Sequence, residues 1–321
     1  SILGSALATG DLNQDGQPDL VVASAQHYDG GIYGSHVFVA LGPIALESSV
    51  DALPLIQNGG DTIGTSLAIV DGFLAVTAPN ESVDADSQGA VFLFDADPGA
   101  VSTPLDAAGE VRFDGQFYQA STQLRPCDVL GTGREGLLLG GSFGLDYQSG
   151  VLWAETLQEG LLLVDESDLW VVDSFSAQLG AFNFSCADSD QDGYPELWLH
   201  ARNTGEVLAF DSESFGQDQD EAFIRLRGGS GDSYTDAQVF GDLDGDGSVD
   251  VVVNDPSAQT YGAISVIYGP LSAGSYSLSQ DSLQAQSANP LGTGIAGSDE
   301  GLLVSDRYGQ SLYWVPGGPG I

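Results

Sequence analysis

The chain contains no lysine and no methionine, and its cationic side chains are limited to seven arginines and three histidines against 46 acidic residues. The formal net charge is −39. A surface with so few cations cannot neutralise phosphate groups, so this composition argues against binding to DNA, RNA or anionic membranes. The same charge repels itself unless cations bind or screen it, and we therefore expect surroundings rich in calcium or salt.

Long apolar runs are absent as well. No stretch approaches the roughly 20 apolar residues that a membrane-spanning helix requires, so we predict no membrane span. The sequence begins at Ser1 with no recognisable targeting segment, which is the start expected after removal of a secretory signal. These features favour a secreted or cell-surface protein.

Cysteines and catalytic motifs are also scarce. Cys127 and Cys186 are too few for a disulfide framework, and their spacing does not match a zinc site. A disulfide between them and two buried free thiols are both compatible with the sequence. We find no nucleophile elbow, phosphate loop or histidine pair at zinc spacing, so no catalytic residue or organic cofactor is assigned.

The chain does contain a repeat. Six units start near residues 3, 63, 117, 179, 234 and 291, and each carries an acidic residue after its first apolar segment. These residues are spaced 54 to 60 positions apart: Asp11, Asp71, Asp128, Asp188, Asp242 and Asp299. Short alternating apolar segments between Gly- and Asp-rich turns indicate β-strands, and this period is typical of a four-stranded propeller blade. We predict an all-β fold, a single β-propeller domain over residues 1–321 with six four-stranded antiparallel blades, a count of seven staying open.

Individual turns refine this prediction. The Asp71-Gly72 dipeptide of unit two lies between alternating apolar residues and favours a two-residue hairpin. We assign residues 160–173 to the outer strand of unit three, the alternative being a further blade. The last unit has segments for three strands only, which would leave an unpaired edge open to strand addition or assembly.

Units one, four and five replace the short turn with a nine-residue acidic segment, named here loop A (residues 11–19), loop B (188–196) and loop C (242–250). Oxygen ligands recur at alternate positions: Asp11, Asn13, Asp15, Gln17 and Asp19; Asp188, Asp190, Asp192, Tyr194 and Glu196; Asp242, Asp244, Asp246, Ser248 and Asp250. Position 6 is always Gly, and position 7 would offer its backbone carbonyl. Calcium takes about six to eight oxygens in flexible geometry, whereas magnesium requires a stricter octahedron. We predict three structural Ca²⁺ sites.

This repeat resembles the FG-GAP repeats of integrin α-subunit propellers, which also occur in secreted bacterial proteins. The matching dipeptides at the unit starts, with an aliphatic residue in place of Phe, are Leu3-Gly4, Ile63-Gly64, Leu179-Gly180 and Leu291-Gly292. Thr77-Ala78-Pro79 partly matches the family's Gly-Ala-Pro element. The resemblance implies calcium loops between the first and second strands of a blade. Units two, three and six lack the calcium pattern, and unit three has Arg134 where ligands would fall.

The leading functional hypothesis is a non-catalytic, calcium-stabilised module for binding or adhesion, inferred from the fold resemblance. Its protein or carbohydrate ligand would contact the loops between second and third strands, where Tyr28, Tyr33, Tyr147, Tyr261 and Tyr308 are candidates. One alternative is a structural subunit of an extracellular assembly. Another is a polysaccharide-active hydrolase or lyase, since paired carboxylates could act as acid and base.

Overall fold

The computed structural model describes most of the repeat. The described residues are 3–29, 32–43, 55–58, 63–79, 82–83, 86–87, 90–95, 109–113, 123–143, 148–154, 160–162, 169–173, 179–201, 204–211, 222–228, 236–255, 263–278, 283–286, 291–298, 301–306 and 311–318. Every regular element within them is a β-strand, which confirms the predicted all-β class for this part of the chain. It contains no helix long and apolar enough to cross a membrane.

The strands are short and follow one another closely. In chain order they are β1 (Leu3–Gly10), β2 (Asp19–Asp29), β3 (Ile32–Ala40), β4 (Leu55–Asn58), β5 (Leu67–Val70), β6 (Phe73–Ala78), β7 (Ser82–Val83), β8 (Asp86–Ser87), β9 (Ala90–Asp95), β10 (Gly109–Phe113), β11 (Gln123–Cys127), β12 (Gly136–Phe143), β13 (Gln148–Ala154), β14 (Gly160–Leu162), β15 (Leu169–Asp173), β16 (Leu179–Ala187), β17 (Glu196–Ala201), β18 (Glu206–Phe210), β19 (Ile224–Arg227), β20 (Asp236–Phe240), β21 (Asp250–Asp255), β22 (Ala263–Ile267), β23 (Gly274–Ser277), β24 (Leu283–Gln286), β25 (Leu291–Ser298), β26 (Gly301–Asp306) and β27 (Ser311–Pro316).

Within the described residues, six mainly antiparallel sheets correspond to the six sequence units. Their strand orders are β1-β2-β3-β4 in sheet 1, β14-β10-β9-β6-β5 in sheet 2, β11-β12-β13-β15 in sheet 3, β16-β17-β18-β19-β23 in sheet 4, β20-β21-β22-β24 in sheet 5 and β25-β26-β27 in sheet 6; β7 and β8 form a small separate hairpin. Most strands thus pair with a strand close to them in the chain, as is usual for consecutive strands.

The Asp71-Gly72 hairpin forms as predicted. Val70 pairs with Phe73, and both turn residues have positive φ, 48° for Asp71 and 81° for Gly72. Positive φ at both central positions is the geometry of a type I′ turn, which follows the natural twist of the flanking strands. Strands β2 and β3 of sheet 1 form a long hairpin, because β2 continues to Asp29 and places Tyr28 opposite Tyr33 of β3.

Two short strands do not lie in the sheet of their own unit. β14 pairs in parallel with β10 of sheet 2, and β23 pairs in parallel with β19 of sheet 4. The assignment of residues 160–173 to the outer strand of unit three is thus wrong for β14 and correct for β15, which borders β13. Three residues are enough for this pairing because the outer edge of β10 offers unpaired backbone groups.

The chain divides into two compact units, which we describe separately. The first comprises Ser1–Cys127 and Gly133–Trp170, and the second comprises Asp128–Thr132 and Val171–Ile321. Cys127 and Cys186 are both disulfide-bonded, so neither is a free thiol.

The cores lie between neighbouring sheets. In the first unit one cluster joins sheets 1 and 2 through side chains that include Val21, Val37, Leu67, Leu74 and Phe92. In the second unit Val251 and Val253 of β21 pack in a cluster with sheet 4, whereas Val252 packs in a cluster with Leu302 and Val304 of sheet 6. Successive residues of a strand point to opposite faces, so β21 is buried on both sides.

Candidate metal centre

The three acidic loops occupy equivalent places in their sheets. Loop A joins β1 to β2, loop B joins β16 to β17, and loop C joins β20 to β21. Position 2 of each loop is buried, with exposed fractions of 1% for Leu12, 0% for Ser189 and 3% for Leu243. A buried side chain directly after the first carboxylate fixes where the loop leaves its strand. The sequence analysis missed this anchor, although the leucine that follows the first aspartate in loops A and C signals it.

The first carboxylate organises the backbone of its loop. Asp242 accepts hydrogen bonds from the amides of Gly245 at 2.6 Å, Asp246 at 2.9 Å and Gly247 at 2.7 Å. Asp11 likewise accepts from Asp15 at 2.9 Å and Gly16 at 2.8 Å. These bonds curl each loop around its first carboxylate.

Glycine at position 6 has a conformational reason. Gly16, Gly193 and Gly247 have φ of 83°, 97° and 91°. Residues with a Cβ rarely adopt these positive φ values. The bend turns the amide of this glycine back to the carboxylate at position 1, to which it donates in all three loops. The predicted role of this glycine is consistent with the structure.

The carboxylate at position 9 closes each loop and is buried. Asp250 is 0% exposed; its Oδ2 accepts from the amide of Leu243 at 2.7 Å and its Oδ1 from the amide of Gly269 at 2.9 Å. Asp19 repeats this arrangement with Leu12 at 2.8 Å and Gly42 at 2.7 Å. In loop B, Glu196 accepts from the amide of Ser189 at 2.7 Å and also from its hydroxyl.

Two of the loops bring their carboxylates together. Among the described residues, Asp188, Asp190, Asp192 and Glu196 of loop B each place an oxygen within 4.8 Å of the others, and so do Asp242, Asp244 and Asp250 of loop C. At position 3, where loops B and C have a carboxylate, loop A has the amide of Asn13. This amide donates to Asp15 at 3.1 Å. The five predicted ligand positions of loop A, from Asp11 to Asp19, stay a prediction.

The position 7 residues contribute little through their side chains. Tyr194 is 49% exposed, and its amide donates to Asp192 Oδ1 at 2.8 Å. The amides of Gln17 and Ser248 make the same bond to Asp15 and Asp246. The backbone amide at position 7 thus contacts the carboxylate at position 5. The backbone carbonyl is then the ligand that the position 7 residue would offer.

The chemistry of loop B fits a cation. Asp188 Oδ1 is buried and accepts no hydrogen bond, while Asp188 Oδ2 accepts from Gly193 at 3.1 Å. A buried carboxylate oxygen without a donor is costly unless a positive charge faces it. Loop B provides no cationic side chain, so a divalent ion among these oxygens would remove the cost.

The protonation equilibria reflect the same crowding. Burial raises the pKa of Glu196 to about 7, and burial also raises the pKa of Asp190 and of Asp250 above the usual range. For Asp242, backbone hydrogen bonds from Gly247, Gly245 and Asp246 outweigh the effect of burial and lower its pKa. In the metal-free protein, burial therefore favours the protonated form of the closing carboxylates of loops B and C, and a bound metal ion would act in the opposite direction.

Turns without the acidic pattern are built differently. In unit three, Thr132 donates to Asp128 at 2.9 Å through its amide, and Arg134 is exposed. The Asp71-Gly72 turn consists of two residues and therefore lacks the other ligand positions. The structure thus gives no reason to add units two or three to the predicted metal sites.

Contacts between neighbouring turns are a feature that the sequence analysis missed. Gln14, at position 4 of loop A, points its amide Nε2 at the carbonyl of Asp71 at 3.4 Å. Gln191, at position 4 of loop B, donates to Gly247 O and to Ser248 Oγ of loop C, both at 3.0 Å. Both glutamines have positive φ, 56° and 67°. Their shared position in two loops is the signal that could have revealed them.

The predicted ligand-binding tyrosines are not tested. Tyr28 and Tyr33 lie in strands β2 and β3 rather than in a loop, and their side chains fall outside the described residues. Tyr147, Tyr261 and Tyr308 lie outside the described residues altogether.

Comparison with known proteins supports the resemblance. Residues 3–35 match the family model of the FG-GAP repeat, so β1, loop A, β2 and the start of β3 carry that repeat. No curated protein matches the chain in a sequence comparison. A crystal structure described as BBS1N in complex with ARL6DN, soaked with lead, is similar over 98% of this chain and 93% of its own, with 12% sequence identity and a TM-score of 0.46.

Proposed function

We propose that this protein is a calcium-stabilised β-propeller that acts outside the cell as a binding or adhesion module. The observation that carries the proposal is the loop B cluster, in which four carboxylates converge and one buried oxygen has no donor. The match to the FG-GAP repeat at residues 3–35, which include the equivalent loop A, supports the proposal. Six sheets with cores between neighbours are the parts from which a propeller would close.

Calcium is the ion that these residues favour. All side-chain ligands are oxygens, the loops are flexible enough to supply about six to eight of them, and no histidine or cysteine takes part. Magnesium would require a regular octahedron and would keep several waters. The ion would supply positive charge and no redox chemistry.

The expected role of calcium is structural. Each loop holds the end of the first hairpin of its sheet, and its closing carboxylate also contacts the turn that follows the third strand in sheets 1 and 5. Because the metal-free loops repel themselves, the free energy of calcium binding becomes free energy of folding. The opposite ends of the sheets would then be free to bind a protein or carbohydrate ligand.

A calorimetric titration tests the calcium sites. Metal-free protein should bind three calcium ions, one for each acidic loop, and Asp11→Ala, Asp188→Ala and Asp244→Ala should each remove or strongly weaken one of them. Asp71→Asn is the matched control, because it removes a carboxylate from a hairpin turn that has no ligand set. A stoichiometry that the three variants leave unchanged would refute the assignment.

A second role, as a subunit of an extracellular assembly, is favoured by sheet 6. Among the described residues no strand pairs with the outer edge of β27, although Leu312, Tyr313, Trp314 and Val315 are 67%, 42%, 53% and 36% exposed. The protein's own outer strand β19 shows what such an edge accepts. Its Ile224 and Leu226 are buried, whereas Arg225 and Arg227 pair with Glu206. On a chain of charge −39, a partner strand of alternating apolar and basic residues would fit β27 best.

Peptide binding separates the two roles. A peptide of alternating Ile and Arg should bind the wild-type protein and lose at least about tenfold in affinity when β27 carries Trp314→Pro, since proline removes a backbone donor from the edge. A scrambled peptide of equal charge measures the purely electrostatic contribution. Equal affinity for both peptides would exclude strand addition.

A further inference from the structure

We propose that Gln191 couples loops B and C, so that calcium binding to one loop raises the affinity of the other. This inference rests on the calcium sites proposed above. It concerns a residue that ligates neither ion and acts by positioning the loop beside it.

The contact joins the ligand-bearing parts of both loops. Gln191 lies between Asp190 and Asp192, and its Nε2 donates to Gly247 O and Ser248 Oγ at 3.0 Å each. Gly247 and Ser248 form the bend of loop C, where the amide of Gly247 donates to Asp242 at 2.7 Å and that of Ser248 to Asp246 at 2.7 Å. The Gly247–Ser248 peptide therefore accepts from Gln191 through its carbonyl and donates to Asp246, at position 5 of loop C, through its N–H.

The conformation of Gln191 makes this contact sensitive to an ion in loop B. Its φ of 67° is a left-handed conformation that is unfavourable for a residue with a side chain. A cation held by Asp190 and Asp192 would fix both neighbours of Gln191 and so keep its amide on loop C. By linkage, an ion in loop C would favour the ion in loop B by the same factor.

The other acidic loop provides an internal contrast. Gln14 holds the same position in loop A and has a similar φ of 56°, but it reaches the carbonyl of Asp71, in a turn without a ligand set. Loop C has Gly245 at this position and thus no side chain to extend further. In the part of the chain that the structure describes, Gln191 alone connects two acidic loops.

Electrostatic repulsion between two bound ions acts in the opposite direction, so the two effects must be separated. Gln191→Ala leaves the charge unchanged and removes only the hydrogen bonds. One net hydrogen bond corresponds to a factor of roughly three to ten in an equilibrium constant, and this is the coupling that we expect Gln191 to supply.

The test is a calcium titration by calorimetry in an Asp11→Ala protein, in which loops B and C remain. Two ions should bind in the presence and in the absence of Gln191, but the ratio of the second to the first binding constant should fall about three- to tenfold in Gln191→Ala. The melting temperature of the metal-free protein, measured for both proteins, separates the loss of coupling from a general loss of stability. As the control, Gln14→Ala in an Asp188→Ala protein should leave the titration of loops A and C unchanged.

The outcomes are distinguishable. If the Asp11→Ala protein binds fewer than two calcium ions, the proposed sites fail and the coupling fails with them. If two ions bind and Gln191→Ala leaves the ratio of binding constants unchanged, the coupling is refuted while the sites stand. Should Asp11→Ala not fold, the three-ion titration of the wild-type protein is compared with Gln191→Ala and Gln14→Ala, and only Gln191→Ala should reduce the cooperativity.

Discussion

At the scale of single residues, the carboxylates of the three loops differ in their surroundings more than the shared spacing indicates. Glu196 is 1% exposed and accepts two hydrogen bonds from Ser189, whereas Asp242 lies near the surface among backbone amides. The spacing indicated the carboxylates that converge in loop B and, apart from Asp246, in loop C, whereas the ligand set of loop A stays a prediction. The spacing could not predict the protonation of each carboxylate, which depends on burial by residues distant in sequence.

Glu196 leads to a prediction about pH. Its pKa of about 7 in the folded protein exceeds the ordinary value of 4.5, so the folded state binds a proton that the unfolded state releases. The free energy of unfolding of the metal-free protein should therefore fall as pH rises from about 4.5 to about 7. Glu196→Gln cannot ionise, and at pH 8 it should be more stable than the wild type by on the order of 1–3 kcal/mol.

Chemical denaturation at pH 5 and pH 8, with a calcium chelator present, measures this difference. Glu135→Gln, which removes one exposed carboxylate, is the control for the general charge effect. An equal gain from both substitutions at pH 8 would attribute the pH dependence to overall charge rather than to Glu196.

At the scale of elements, the sequence predicted the hairpins and missed the exchanges between sheets. Asp71-Gly72 is a local signal and gave the correct turn. Strand β14 has only three residues, and its partner β10 lies in the preceding unit. The pairing of so short a segment depends on which edge is free in the folded chain, and no local pattern carries that information.

The same limit applies to the support of the metal loops. Gly269 donates to Asp250 at 2.9 Å from 19 residues away, and Gly42 donates to Asp19 from 23 residues away. A Cβ on Gly269 would overlap the carbonyl oxygen of Val249, and one on Gly42 would lie 2.6 Å from that of Pro18. These glycines are required because the following turn passes directly over the loop.

Gly269→Ala should therefore destabilise the protein by about 1–3 kcal/mol, because the backbone of loop C must move to admit a methyl group. It should also weaken calcium binding at loop C and leave loops A and B unaffected. Denaturant unfolding and calorimetry measure the two effects. Ser275→Ala, at an exposed position of β23, serves as the reference, and a Gly269→Ala protein as stable as this reference would show that the turn has more room than the structure indicates.

At the scale of the whole molecule, the sequence analysis gave six units and the structure gives six sheets in the same order. Apolar alternation and acidic landmarks are enough to define the units, because most strands pair within their own unit, with β14 and β23 as the exceptions. The closure of the sheets into a propeller stays part of the proposal, as does the single domain over residues 1–321.

The net charge of −39 is the property of the whole molecule that makes counter-ions important at the acidic loops. The three loops concentrate carboxylates at the ends of hairpins, which raises the repulsion between these carboxylates. Divalent cations are the simplest counter-charge for a chain without lysine. The protein should consequently depend on calcium for stability and tolerate its loss less well at low salt, where repulsion between the carboxylates is least screened.

Thermal unfolding at low salt, with calcium and then with a calcium chelator, tests this central claim most directly. Saturating three sites at about 100 times their dissociation constants contributes several kcal/mol, so chelation should lower the melting temperature by on the order of 10 °C. Added calcium should restore the original value, and magnesium at the same concentration should not. Identical melting curves in calcium and in chelator would contradict the account.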